Sequence, residues 1–532
     1  MSGQSLAEVL SAAVAHHGAG RLDAAEQHYT AILEQVPDQL DALHLLGVLT
    51  LQRATAVAVP AIARLTAGID LIRRAHDQPA SSGVPDIAAN LARGLAALAE
   101  AHTKAGAPDR ALEAWLEADG RGLPLTPANR LALAESLATA GAVAEAEGQY
   151  RALLEAAPVD LGVRTGLARL LVRRGRVAEA LALLDGLPPP DAANAAAHRL
   201  RAQLLIPHAP DLAAGLLDTV AAAVAMDATH HHLLGRLRQA RGDVAGARDH
   251  HARALALESA HAAARLAHAE ACLRLGAWRD GFADLAWRWM QPATTRRFGG
   301  IPLWERADQD IAGRRLLVWD EADGAALPHL ARLLPALRDL GADVRVEVPP
   351  GWAALLPTGP GQALAGIAVA TRGRDEAAGD LQIPLQELPD RLELWDGAAF
   401  WTGPYLAAPA DVRAPTPPEG RRIGVAAHGP LPPLPPGATA VPLALPGADA
   451  PEGWAALAAT LAALDAVALP AGLLAHVAGG LGRAGVVLVP PDADWRWPAA
   501  GLEATPWYPA FRLAHGDAWP DWTAAALAET PP

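Results

Sequence analysis

The chain has 532 residues, 51% of them hydrophobic but only 4% aromatic, and a formal charge of −14 at pH 7. That acidic balance, with no basic run, argues against nucleic acid as a main partner. The single cysteine, Cys272, excludes a disulfide framework, and no run approaches ~18 uninterrupted apolar residues, so no membrane span is expected.

Lysine occurs once, at Lys104, which leaves the C-terminal half without an ammonium group for a phosphate or a Schiff base. The first ten residues carry neither a basic nor an apolar signal region, so a cytoplasmic location is expected.

From the start of the chain a small residue recurs about every 34 positions: Ala25, Ala61, Ala111, Ala146, Ala180, Ala213, Ala247, then Gly281. A glycine stands five residues before most of them (Gly20, Gly106, Gly141, Gly175, Gly242, Gly276) and a bulky residue stands four after, as in Tyr29, Leu65, Trp115, Tyr150 and Leu217. Residues i and i+4 share a helix face, so the small one admits a neighbouring helix and the large one fills the groove beside it. A second small residue lies twelve positions earlier in most units: Ala13, Ala99, Ala134, Ala168, Gly235 and Ala269. A period near 34 predicts an array of helix-turn-helix units. Residues 77–90 read as a surface insertion in this array.

With Pro37 and Pro158 placed to close second helices, and Ala42-Leu43-His44-Leu45-Leu46-Gly47 reading as a first-helix signature, residues 4 to 290 resemble tetratricopeptide repeats. Such a solenoid stacks helix pairs around a concave face, and the resemblance implies a protein or peptide partner on that face. His230, His231 and His232 are consecutive on a helix, so their side chains diverge by about 100° each and cannot hold one ion together. No metal site is expected. His250 and His251 read as groove fillers or solvated residues.

The 34-residue rhythm stops after Trp287-Arg288-Trp289. Arg314 to Trp319 reads as a buried strand, Ala325 to Leu340 as a helix and Ala342 to Val348 as a second strand, an order that implies parallel pairing. A last helix is expected from about Trp519 to Glu529. The domain boundaries read from these changes are 1–290 for the solenoid, 291–311 for a linker, and 312–412 and 413–532 for two α/β lobes.

Several segments in this half carry a second resemblance. They are Ile383-Pro384-Leu385 with Leu388-Pro389, Pro404-Tyr405-Leu406, Ile423-Gly424-Val425-Ala426, Ala475-His476-Val477-Ala478-Gly479, Asp494-Trp495-Arg496-Trp497 and Pro506-Trp507-Tyr508-Pro509. In this order they resemble a bacterial family in which tetratricopeptide repeats precede a two-lobed domain similar to heptosyltransferases and O-linked N-acetylglucosamine transferases. The resemblance implies an α-solenoid followed by a GT-B fold of twin Rossmann-like lobes. The donor nucleotide would sit mainly on the second lobe, outside the carboxyl ends of the strands.

The family's chemistry then maps onto a few positions. Its Glu-Gln-Gly-x-Gly-Asp turn falls on Glu321 to Ala326: Glu321 is kept, and Ala326 stands where the family places its base. Asp323 is the substitute base, with Glu321 beside it; the alternative is that Asp320, Glu321 and Asp323 are loop acids near a helix N-terminus. Gly324, Gly424, Gly472 and His476 fall where the resemblance implies donor contacts. The family's Asp-Thr pair before the histidine is Ala471-Gly472 here, and its basic loop is the proline-rich 430–437. Arg421 and Arg422 are candidate replacements for the missing cations. Two functions stay open: a glycosyltransferase-like scaffold with a degenerate nucleotide-sugar site, or an active transferase moving a sugar from a nucleotide-activated donor to a protein or glycan. No other cofactor is implied.

Overall fold

A computed structural model describes residues 5–56, 61–290, 297–321, 326–359, 361–414, 420–428, 431–447, 449–502, 504–516 and 518–530. They fall into two compact units, Met1–Leu204 and Leu205–Pro532. The first is helical hairpins throughout: α1 (Leu6–Gly18) with α2 (Leu22–Gln35), α3 (Leu40–Thr55) with α4 (Ile62–His76), α5 (Pro85–Lys104) with α6 (Pro108–Gly120), α7 (Pro127–Thr139) with α8 (Val143–Ala156), and α9 (Leu161–Arg173) with α10 (Val177–Leu183), ending in α11 (Ala195–Leu205). The second opens with α12 (Pro210–Ala223), then α13 (Ala228–Ala240) with α14 (Val244–Leu257) and α15 (Ala262–Arg274) with α16 (Trp278–Leu285).

The repeat pattern has a direct backbone cause. Gly20, Gly106, Gly141, Gly175, Gly242 and Gly276 all adopt φ between 72° and 82°, the left-handed conformation that closes a helix. The next residue then donates its N–H to the carbonyl five back, as Arg21 does to His16 and Ala142 to Leu137. The small residues Ala25, Ala111, Ala146, Ala180, Ala213 and Ala247 are all buried, and Tyr29, Trp115, Tyr150 and Leu217 fill the neighbouring grooves. Tyr150 lies so close over Gly166 that a Cβ there would meet its ring at 2.5 Å.

Two expectations are corrected. Ala61 is an exposed residue at the start of α4; Gly68 makes the close approach instead, against the backbone of Gly47. The stretch 77–90 is not a loop throughout: after a 3-10 turn at Pro79–Gly83, Pro85 opens α5, whose Ile87 and Leu91 are buried. Proline suits the first helical position because it lacks only an N–H that has no partner there.

Beyond α16 the chain builds two parallel sheets. The first has strand order β3-β2-β1-β4, from β1 (Arg315–Trp319), β2 (Asp343–Val348), β3 (Ala368–Thr371) and β4 (Leu381–Pro384). Leu316 lies opposite Val344 on one side and Leu381 on the other. The second has order β6-β5-β7-β8-β9, from β5 (Arg421–Ala426), β6 (Ala438–Leu443), β7 (Ala466–Pro470), β8 (Gly485–Val489) and β9 (Phe511–His515). Every pairing is parallel.

The helices of this part are α17 (Leu327–Leu330), α18 (Leu334–Asp339), α19 (Leu388–Arg391), α20 (Pro451–Ala462), α21 (Leu473–Gly480) and α22 (Thr523–Glu529). The single helix expected over 325–340 is thus broken into α17, a 3-10 turn at Ala331–Leu333, and α18. Pro335 accounts for the break, since it lacks an N–H and crowds the carbonyl four residues before it, that of Ala331. No helix among the described residues is long and apolar enough to cross a membrane.

One buried core runs through both sheets and the last hairpin, from Leu273 and Phe282 through Trp304, Val318 and Trp352 to Trp454, Val487 and Trp507. The two lobes meet along it where the rings of Trp352 and Trp454 lie 4.0 Å apart. Glycine is required at Gly485, where a Cβ would overlap the carbonyl oxygen of Val467 on the neighbouring strand. Gly485→Ala should therefore destabilise the second unit by about 3 kcal/mol or more, the upper range for overpacking. Gly215→Ala, on the exposed face of α12 with open space around it, should stabilise the same unit by about 0.5–1 kcal/mol. Thermal denaturation of the two variants beside the wild type checks both signs.

Candidate functional site

In an open parallel sheet, ligands bind outside the carboxyl ends of the strands where the strand order reverses. The first sheet reverses between β1 and β4, the second between β5 and β7.

At the first of these points the chain has placed acids and then neutralised them from within. Glu321 follows β1, Glu347 is the penultimate residue of β2, and Glu387 follows β4; their side chains are 7%, 6% and 12% exposed. Arg288, from the 3-10 turn after α16, donates Nε to Glu321 at 2.7 Å and Nη2 to both Glu321 and, at 3.2 Å, Glu387. Trp289 Nε1 donates to Glu387 at 2.7 Å. Arg297 forms a forked pair with Glu347, and Arg372 approaches the same carboxylate at 3.4 Å. Burial is the largest influence on Glu321 and pushes its carboxyl above the ordinary range, with Arg288 pulling it back.

The segment that supplies Arg288 and Arg297 also covers the sheet. Phe298 packs edge-on against Trp319 at 5.6 Å, and Leu303 forms a parallel bridge with Gln382 of β4. Gln382 holds it there by donating to the carbonyls of Phe298 and Ile301. Asp320 is fully buried, and its carboxylate accepts the N–H groups of Ala326 and Leu327, capping α17.

The second reversal point opens into a cavity of about 420 Å³, lined by residues that include Ala426, His428, Leu443, Ala471, Gly472 and Leu474. Among the described residues that line it, His428 is the one ionisable side chain. Gly472, with φ of 152°, stands at the start of α21 with open space where a side chain would be. Gly424 serves packing: a Cβ there would meet Leu464 and Leu443 at 2.6 and 2.7 Å. Arg421 and Arg422 lie at the opposite, amino end of β5, roughly 17 Å away along a strand of that length. Arg422 is paired with Asp465 at 2.9 Å, and Arg421 donates to the carbonyl of Thr530.

His476 is not among the residues lining that cavity. It is buried one turn into α21, where Nδ1 lies 3.0 Å from the Tyr508 hydroxyl and the ring stacks on Trp497 at 4.8 Å. Burial lowers its pKa to about 3 and pushes that of its neighbour His329 well below the ordinary histidine value. Beside them Arg332 is buried without a carboxylate partner among the described residues. It donates to the carbonyls of His329, Phe400 and Trp507 and to the Tyr405 hydroxyl, at 2.5–3.2 Å. Tyr405 and Tyr508 lie under its guanidinium at 4.6 Å.

Asp323 and Gly324 lie outside the described residues. Of the other sequence candidates, Glu321 sits at the first reversal point, Gly472 at the second, and Gly424 and His476 in the interior. Arg288, Arg297, Glu347, Glu387 and Arg332 were not singled out. Arg288 lies within Trp287-Arg288-Trp289 and Glu387 between Leu385 and Leu388, whereas a lone glutamate in a strand, such as Glu347, carries no signal. Among the described residues no group of three or more His, Cys, Asp or Glu could hold a metal ion.

Removing Arg288 would leave Glu321 buried and unpaired, a loss worth about 3–5 kcal/mol. The folded-state pKa of Glu321 would then lie above its unfolded value, so stability would be retained at low pH and lost as pH rises through the folded value. Arg288→Ala should accordingly melt lower at about pH 8 than at about pH 5, and adding Glu321→Gln should recover part of the loss. Melting curves of the two variants at both pH values test this.

Comparisons with known proteins bear on the repeat half. A tetratricopeptide-repeat family model matches residues 127–204. No curated protein matches the chain. Among solved structures, a tetratricopeptide repeat protein from Parabacteroides merdae is similar at 18% identity, covering 50% of this chain and 98% of its own, with a TM-score of 0.29. A thermophilic TPR protein of Thermus thermophilus, TTC0263, is similar at 21% identity over 34% of this chain and 99% of its own, with a TM-score of 0.30. The APC/C hetero-tetramer Cut9-Hcn1 is similar at 13% identity over 55% and 67%, with a TM-score of 0.32. The N-terminal part is a tetratricopeptide-type helical solenoid, and the C-terminal part is α/β with parallel sheets.

Proposed function

We propose that this protein is a binding scaffold: a solenoid that holds a protein or peptide, joined to a GT-B-like pair of lobes whose nucleotide-sugar site has lost its chemistry. The observation that carries this reading is the cavity at the β5/β7 reversal. A transferase of this kind needs cations or converging N–H groups to take up the charge of a departing diphosphate. Here the described lining is alanine, leucine, proline and glycine with one histidine. The first reversal point supports the same conclusion, because its carboxylates are already matched by Arg288, Arg297 and Arg372. The aromatic seam between the lobes, with Trp352 on Trp454, favours one fixed arrangement over a cleft that opens and closes.

For the solenoid, the reading is supported by a groove of about 270 Å³ between α3 and α5. Val48, Leu51 and Ala97 give it an apolar floor, and Gln52, Asn90 and Arg93 a polar rim. That combination suits a peptide side chain with its backbone amides at the rim.

One observation favours the alternative, an active transferase using a nucleotide-sugar. The open space at Gly472 leaves the N-terminus of α21 accessible, a position at which backbone N–H groups can receive a phosphate. In that reading Asp323 is the base, with Glu321 beside it and Gly324 near the donor.

A nucleotide panel separates the two. With nucleoside diphosphates and their sugars at about 1 mM, the melting temperature should stay within about 1 °C of the unliganded value, since stabilisation follows RT ln(1 + [L]/Kd). A clear rise with one nucleotide would revive the transferase, and Asp323→Ala should then abolish sugar transfer while leaving the rise intact.

A further inference from the structure

We infer that the α13–α14 hairpin is an acid-sensitive repeat: a seam of paired histidines joins its two helices while the rings are uncharged, and acidification weakens that joint. His231 of α13 faces His250 of α14, Nδ1 to Nδ1 at 3.4 Å, and His232 faces His251 in the same way at 3.3 Å. The ring centroids are 5.6 and 5.1 Å apart, and His261, at the start of α15, adds a third ring 5.4 Å from His232. Two neutral imidazoles can share one proton at this separation; two imidazolium rings repel across it. His251 has nowhere to retreat. It is fully buried, in the groove-filling position four residues after Ala247, against the bare backbone of Gly235.

The charges facing the seam oppose protonation more than they favour it. On His251 act His232 and Arg236 from α13, its neighbour His250, and His268 from α15. On His232 act Arg236 and His261. Carboxylates reach the outer pair alone: Asp227 acts on His231 against Arg253, and Asp249 acts on His250 against His231, Arg253 and Arg238. The acid of α16, Asp284, is engaged by His268 and Arg265, and it raises His268 to about 9, so that ring is already cationic at neutral pH.

Burial, the largest influence on each ring, lowers His232 to about 4 and His251 to about 3, and lowers His231 and His250 as well. In the unfolded chain the same rings take protons near pH 6.5. The sign follows: the seam's contribution is complete above about pH 6.5 and is lost as pH falls toward the folded values. Glu270, also on α15, responds the other way, since burial raises it to about 6. The histidine variants below separate the two responses.

The test is thermal denaturation of the full chain at about pH 7.5 and about pH 5, for the wild type and for the double variant His232→Gln/His251→Leu. The wild type should lose roughly 5 °C or more on acidification, and the variant less than half as much. Equal losses would overturn the proposal. A second measurement covers a variant that fails to fold: imidazole Cε1–H resonances of wild-type protein labelled at histidine. At least two rings should stay neutral down to about pH 5, and titration of every histidine near pH 6.5 would overturn it.

Discussion

A guanidinium buried away from any carboxylate is costly unless its N–H groups find acceptors, and Arg332 is placed where it makes four such hydrogen bonds. Its acceptors come from both sides of the second unit's core: His329 on α17 of the first lobe, Phe400 and Tyr405 on the connecting segment, and Trp507 on the second lobe. Tyr405 in turn donates to the carbonyl of Pro328 and lies 3.3 Å from the Tyr508 hydroxyl. The lobes are therefore tied by one cation held by carbonyl dipoles and aromatic faces, beside the ring contact of Trp352 with Trp454.

The two crevices differ in character. At the first sheet, the charge a binding site would use is consumed internally, by arginines delivered from the chain that leaves the last hairpin. At the second sheet, the crevice remains but its lining is apolar. Neither arrangement lacks a physical purpose. Buried pairs such as Arg288 with Glu321 and Glu387 fix how the connector lies over the strands, a role in which the geometry of a paired charge is more exacting than that of an apolar contact.

Much of the repeat half was legible in the chain itself. Left-handed glycines and buried alanines obey local rules, so Gly141 and Ala146 could be assigned from their spacing alone. Ala61 fails because the inserted residues of the second and third hairpins shift the close approach to Gly68, a change that spacing averaged over eight units conceals. The helix expected over 325–340 fails because Pro335 outweighs an otherwise helical run of leucines and alanines. In the α/β half, strand positions were readable from apolar runs, whereas the partners of Arg288 were not: Glu321 lies 33 residues away and Glu387 lies 99.

Local sequence thus decided the helix ends, the small and large positions of each hairpin, the absence of lysine chemistry in the C-terminal half and the parallel strand pattern. The helix ends and the hairpin positions depend on backbone conformation or on residues within a few turns of one another. Tertiary structure alone decided which charges are spent on one another, which histidines face across α13 and α14, and whether a glycine such as Gly424 makes room for a ligand or for a leucine. Those outcomes depend on distances between residues far apart in the chain, and electrostatic and packing energies change steeply with such distances.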